Sequence, residues 1–163
     1  FDPAYIYGGA IGYSFGNLAT ELELDHSSSK LTSVAGVDVT SASTYGQTLK
    51  FEQTTLIANA IYKTPLAESV SLNLSGGLGA QFHKTNLNQS VYLQRKSDTA
   101  FVGQLSPSVS FNLSKNVSLT AGYKLRFVDE ANVATAKIAP YSADVKVSSH
   151  WDHVFTVGVG YSF

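Results

Sequence analysis

Seven stretches of two-residue alternation, a charged content of only 14% and no apolar run near the length of a membrane helix predict an all-β chain. The architecture they imply is a transmembrane, antiparallel up-and-down β-barrel. A helix needs about 20 apolar residues to cross the hydrocarbon core, whereas a tilted strand needs about 10. The length of 163 residues suits one domain, taken as 1–163. A net charge of -1 gives no electrostatic reason to expect nucleic acid as a partner. With no cysteine there is no disulfide framework and no thiolate metal site, and the absent methionine implies a mature chain or a fragment of one.

The elements follow in order. In "YIYGGAIGYSF" Tyr5, Tyr7, Ile11, Tyr13 and Phe15 oppose Ile6, Gly8, Ala10, Gly12 and Ser14. In "LATELELDH" Leu18, Thr20, Leu22 and Leu24 oppose Ala19, Glu21, Glu23 and Asp25. The parity of "TTLIANAIYK" is blurred, because Ile57 and Ile61 share a face with Thr55 and Asn59. In "VSLNLSGGLGAQFH" the face of Val70, Leu72, Leu74, Leu78, Ala80 and Phe82 opposes Ser71, Asn73, Ser75, Gln81 and His83. Phe101, Leu105, Val109, Phe111 and Leu113 oppose Gln104, Ser106, Ser108, Ser110 and Asn112 in the next strand. "VSLTAGYKLRFV" sets Val117, Leu119, Ala121, Tyr123, Leu125 and Phe127 against Ser118, Thr120, Gly122, Lys124 and Arg126. The last, "HVFTVGVGYSF", has large residues at every odd position from His153 to Phe163. Strands of about 9–14 residues are longer than the usual soluble length of about 5–6.

The polar faces hold Ser, Thr, Gly, Asn and Gln with few charges, which suits a narrow interior better than a solvent-facing surface. The apolar faces carry aromatics near the strand ends: Tyr13, Phe15, Tyr62, Phe111, Tyr161 and Phe163 at one level, Tyr5, Phe82, Phe101, Phe127 and Phe155 at the other. Two aromatic belts around an aliphatic band fit a lipid-facing wall. Short connections (16–17, 64–69, 114–116) alternate with long ones (26–50, 84–98, 129–149). Bacterial outer-membrane barrels keep short turns in the periplasm and long loops outside the cell, so the C-terminus is expected on the periplasmic side.

The stretches "GGAIGYSFGNLATELEL", "TTLIANAIYKT", "VSLNLSGGLGAQF", "SFNLSKNVSLTAGYKLRF" and "FTVGVGYSF", in this order, resemble the eight-stranded outer-membrane barrels of the OmpA/OmpX and opacity-protein type, most closely the bacterial surface-antigen branch. The resemblance implies a barrel in the bacterial outer membrane, in contact with membrane lipid and lipopolysaccharide. It also implies that Phe155, Val157, Val159, Tyr161 and Phe163 form the terminal signal read by the outer-membrane insertion machinery. Counted back from a periplasmic C-terminus, the first recognisable strand runs downward, so an upward neighbour is expected before it. Either the chain lacks its first strand, or another segment supplies the eighth.

The interior of an eight-stranded barrel is just wide enough for side chains to fill. Glu21 and Glu23 face inward from one wall, Lys124 and Arg126 from the opposite wall, and these four are expected to form a lumenal ion-pair cluster. It would either plug the interior or gate small ions. Of the four histidines, His26 and His83 are placed at outer strand ends, while His150 and His153 flank Trp151 at the top of the last strand, where a surface-loop reading is expected. His150 and His153 differ by three positions on a strand and point to opposite faces, which argues against a metal site in "HWDH". Asp25, His26 and Ser27, Ser28 or Ser29 supply the residue types of a lipid hydrolase, but a Ser-rich loop does so by chance. Pro107, inside a strand, marks a bulge or gap. No cofactor motif is present. The expected function is therefore a surface antigen or structural and interaction barrel, not a catalyst, with partners reached through its long loops. A narrow channel is the alternative, and a lipid-modifying enzyme comes after it.

Overall fold

The computed structural model describes residues 5–30, 33–34, 37–38, 50–86, 93–95, 98–138 and 141–163. Every regular element among them is a strand: β1 (Tyr5–Phe15), β2 (Leu18–Lys30), β3 (Ser33–Val34), β4 (Val37–Asp38), β5 (Lys50–Ala67), β6 (Val70–Asn86), β7 (Leu93–Arg95), β8 (Asp98–Asn112), β9 (Val117–Val128), β10 (Ala131–Ile138), β11 (Tyr141–Val147) and β12 (His150–Tyr161). The main sheet has seven antiparallel strands in the order β1-β2-β5-β6-β8-β9-β12. Each pairs with the next main strand along the chain, the up-and-down order predicted from alternation.

That sheet is strongly curled. β2 and β9 stand second and sixth in its order, roughly 19 Å apart if the wall were flat, at about 4.8 Å per strand. Yet Lys124 and Arg126 on β9 form ion pairs with Glu23 and Asp25 on β2. The wall therefore bends around its polar face. Outward side chains are bare, with Phe155 84% exposed, and Tyr5, Tyr13, Phe15, Tyr62, Phe82, Phe101, Phe111 and Tyr161 also exposed. Phe127 is covered in part by Trp151, their ring centroids 5.2 Å apart. The seven-stranded sheet does not close on itself: among the described residues β1 and β12 are its two edges.

Short turns are tied together at one end. Gly16 adopts a positive φ of 66° in the tight turn between β1 and β2, a conformation that glycine enters without steric cost. Lys63 N donates to Asn17 O at 2.7 Å, Asn112 N to Ser69 O at 2.7 Å, and Ser162 N to Asn116 O at 2.8 Å.

Two expectations need correction. The connections 26–50, 84–98 and 129–149 are not simply loops: β2, β5, β6 and β8 extend into them, β10 and β11 form a hairpin, and β7 adds to it in the order β11-β10-β7. Backbone pairing carries these strands past the point where side-chain alternation fades. Positions 31–32, 35–36, 39–49, 87–92, 96–97 and 139–140 of those connections lie outside the described residues. At Pro107 the structure shows the gap of the two expected outcomes: β8 and β9 lose pairing between Leu105↔Leu125 and Ser108↔Gly122 without a change of register. Finally, the turn expected at 64–69 shrinks to Glu68 and Ser69, because β5 runs to Ala67.

Candidate functional site

The interior is built by one inward side chain in two from each strand. β2 contributes Glu21, Glu23 and Asp25, since acids at every second position share a face. From across the curl β9 contributes Lys124 and Arg126, while Asn59 on β5 and Gln104 on β8 stand in the walls between.

Arg126 is the most enclosed charge, 3% exposed. Its Nη2 donates to Asp25 Oδ2 at 2.5 Å and to Gln104 Oε1 at 2.9 Å, and its Nε donates to the same Oε1 at 3.1 Å. Lys124 Nζ donates to Glu23 Oε1 and lies 3.6 Å from Asp25 Oδ2. The other oxygen of Glu23 accepts from Asn59 Nδ2 at 2.9 Å and from Gln104 Nε2 at 3.1 Å. Gln104 thus links a cation to an anion by offering its carbonyl to one and its amide to the other. Each of the four charges Glu23, Asp25, Lys124 and Arg126 has opposite charge and hydrogen bonds within reach, the condition under which burying ions is tolerable.

The sequence-predicted set is regrouped. Glu23, Lys124 and Arg126 come together, whereas among the described residues Glu21 pairs with no cation and accepts from Asn59 Nδ2 at 3.5 Å. Asp25 takes its place as the partner of Arg126. Asp25, Asn59 and Gln104 were already on inward positions by parity. What parity does not give is the stagger between β2 and β9, which decides which acid meets which base.

Two further layers complete the filling. Ile57, Ala100, Val102 and Val128 form a buried apolar cluster. Ile57, Val102 and Val128 sit one inward position farther from the short turns than Asn59, Gln104 and Arg126 on the same strands. This explains the blurred parity of β5, whose isoleucine faces inward to meet valines from β8 and β9. Nearer the short turns the filling is made of hydroxyls and amides: Asn73 Nδ2 donates to Ser110 Oγ at 2.7 Å, and Ser110 and Thr120 share a hydrogen bond of 2.8 Å. Gln81, 1% exposed, has no hydrogen-bond partner for its amide among the described residues.

All four histidines lie on strands, so the surface-loop reading of "HWDH" does not hold. His83 is buried in the interior, His150 starts β12, and His26 and His153 lie on the outer face of the wall. His26 packs at a tilt against Tyr7 and hydrogen-bonds Thr54, while His153 hydrogen-bonds Tyr123. The hydrolase residue types are split between the two faces: Asp25 is committed to Arg126 inside, His26 points outward, and Ser27 Oγ donates to Gln53 at 3.3 Å. Adjacent strand residues point to opposite faces, so Asp25 does not orient His26. In the terminal strand Phe155, Val157, Val159 and Tyr161 project outward along the β12 edge, and Phe163 follows the end of the strand, fully exposed.

An apolar exterior, a filled polar and ionic interior and tilted-span strand lengths define a β-barrel of the membrane-spanning class. The chain belongs to the outer membrane protein beta-barrel domain family, whose model matches residues 1–163, and this places it in the bacterial outer membrane. No curated protein and no solved structure matches the chain.

Proposed function

We propose that the chain is a structural and interaction barrel of the outer membrane, a surface antigen that presents its long connections outside the cell and catalyses no reaction. The observation that carries this reading is the filled interior: an ionic layer around Arg126 backed by an apolar layer in which Val102 and Val128 are 0% exposed. A wall that spends its interior on packing leaves recognition to the connections at its rim. On this reading 26–50, 84–98 and 129–149 face outward, where host surfaces or neighbouring proteins would meet them. The short turns and Phe163 face the periplasm, and Phe155 to Phe163 serve the insertion machinery. Lipid and lipopolysaccharide are the partners of the exposed apolar face.

The test has two parts. In intact cells a membrane-impermeant maleimide should label Ser43→Cys, in a long connection, and not Ser114→Cys, in a short turn. Reconstituted in a planar bilayer, the protein should show no steady conductance, and the reverse labelling pattern or a stable open level would sink the reading. A narrow channel is the second reading, favoured by Glu21, a half-buried lumenal carboxylate with no cation within 4 Å among the described residues.

A further inference from the structure

The two histidines on the outer face of the wall, His26 and His153, stand at one level and are held in the same way. We propose that they are contacts for the phosphate groups of lipopolysaccharide, a site that rests on the reading of this face as lipid-facing with the long connections outside the cell.

Depth comes first. His26 lies ten residues after Gly16 in a short turn, and His153 ten residues before Phe163 at the same end of the wall. A strand that rises about 3.3 Å per residue and tilts by about 40° climbs about 2.5 Å per residue along the membrane normal, so ten residues climb about 25 Å. That is the height of the apolar band on such a wall, and both rings therefore reach its far margin, where headgroups begin. Aromatic neighbours mark the same margin: His26 shares a register row with Tyr7, Thr54 and Phe82, and His153 stands between the exposed Trp151 and Phe155 on β12. Among the described residues the margin at the short turns presents Phe15, Tyr62, Phe111 and Tyr161 outward, and no histidine.

Orientation follows. His26 Nδ1 lies 3.1 Å from Thr54 Oγ1 on β5, with its ring tilted against Tyr7 at 5.4 Å. His153 Nδ1 bonds the hydroxyl of Tyr123 on β9, and Tyr123 packs in turn against Phe155, their centroids 5.4 Å apart. Each ring thus spends Nδ1 on a hydroxyl of the neighbouring strand, which turns Nε2 away from that contact. A hydroxyl that donates to Nδ1 leaves the ring proton on Nε2, and a second proton on the ring keeps it there, so Nε2 is a donor in either form. Such a donor is costly against hydrocarbon, but at the headgroup level it meets oxygen. Phosphate fits it best, because hydrogen bonds to an anion are the strong ones and an imidazole can carry positive charge near neutral pH. Donors at one margin and none at the other fit a membrane whose two leaflets differ in lipid. A phospholipid common to both leaflets would not call for the difference.

Trp151 is the single tryptophan of the chain and lies two residues from His153 on the same face. The full chain is refolded in phosphatidylcholine vesicles that hold a small fraction of dansyl-labelled lipid A, and energy transfer from Trp151 measures how far that lipid gathers beside the ring. Lipid A should be enriched about fivefold over dansyl-labelled phosphatidylcholine, the equivalent of about one net hydrogen bond. His153→Phe, which keeps a ring without a donor, should remove most of that enrichment. Tyr7→Trp in a Trp151→Phe background reads the His26 site in the same way, with His26→Phe as its variant. Equal enrichment of lipid A and its dephosphorylated form would overturn the phosphate, and equal enrichment in the parent chains and the histidine variants would overturn the two residues. Labelled phosphatidylglycerol gathering as strongly as lipid A would overturn the choice of lipopolysaccharide. These vesicles carry lipid A in both leaflets, so the result does not depend on which end of the protein faces out. Reversed maleimide labelling in cells would overturn the outward placement whatever the vesicles show.

Discussion

Arg126 is the side chain with most to lose in the interior, because it is the most enclosed charge and its carboxylate partner is buried with it. Removing one member of such a pair leaves a charge without compensation, at a cost of about 3–5 kcal/mol. Arg126→Gln should therefore destabilise the protein by that amount in urea unfolding from vesicles, followed by Trp151 fluorescence. Asp25→Asn added to Arg126→Gln should recover part of the loss, since neither partner is then charged. Lys124→Gln should cost clearly less, because Lys124 is more exposed and Glu23 keeps its bonds from Asn59 and Gln104. Equal losses from Arg126→Gln and Lys124→Gln would contradict the ranking of the two pairs.

At the scale of the strand, alternation separates two solvents, lipid on one face and a packed polar interior on the other. β2 shows the contrast most sharply: Leu22 and Leu24 are exposed on the outside, while Glu23 and Asp25 are buried inside. Leu22→Arg, on the lipid face near the middle of the span, should cost about 2–4 kcal/mol in bilayers. Ser71→Arg, on an inward position near the short turns, should be tolerated within about 1 kcal/mol if its side chain reaches water at that rim. The same unfolding assay checks both, and a tolerated Leu22→Arg would mean that this face does not meet hydrocarbon. β5 reads less clearly because Ile57 breaks the polar rule of its face to serve the apolar layer.

For the whole molecule, the layered filling makes a prediction about permeation. Loosening the ionic layer alone leaves the apolar layer of Ile57, Val102 and Val128 in place, and apolar constrictions exclude ions by shedding water. Glu23→Gln should therefore be as silent as the unaltered protein in a planar bilayer. Glu23→Gln combined with Ile57→Ser and Val102→Ser should show measurable openings. Conductance from Glu23→Gln by itself would assign the seal to the ion pairs alone.

The seven strands of the main sheet, the inward or outward sense of most residues and the short turns at 16–17 and 114–116 followed from the sequence, because a period of two is a local property of the backbone and each residue carries its own share of it. The membership of the interior was legible to the same degree: Glu21, Glu23, Lys124 and Arg126 all lie on inward positions. The pairing within that interior was not. Which acid meets which base depends on the stagger accumulated across β2, β5, β6, β8 and β9, and that stagger moved Arg126 onto Asp25 and left Glu21, among the described residues, without a cation. The apolar layer was hidden for a related reason, since Ile57, Val102 and Val128 come from three strands and become neighbours only when the sheet curls. Local alternation determined the wall and its two faces; the curl and register of the sheet, which no single strand contains, decided the contacts inside it.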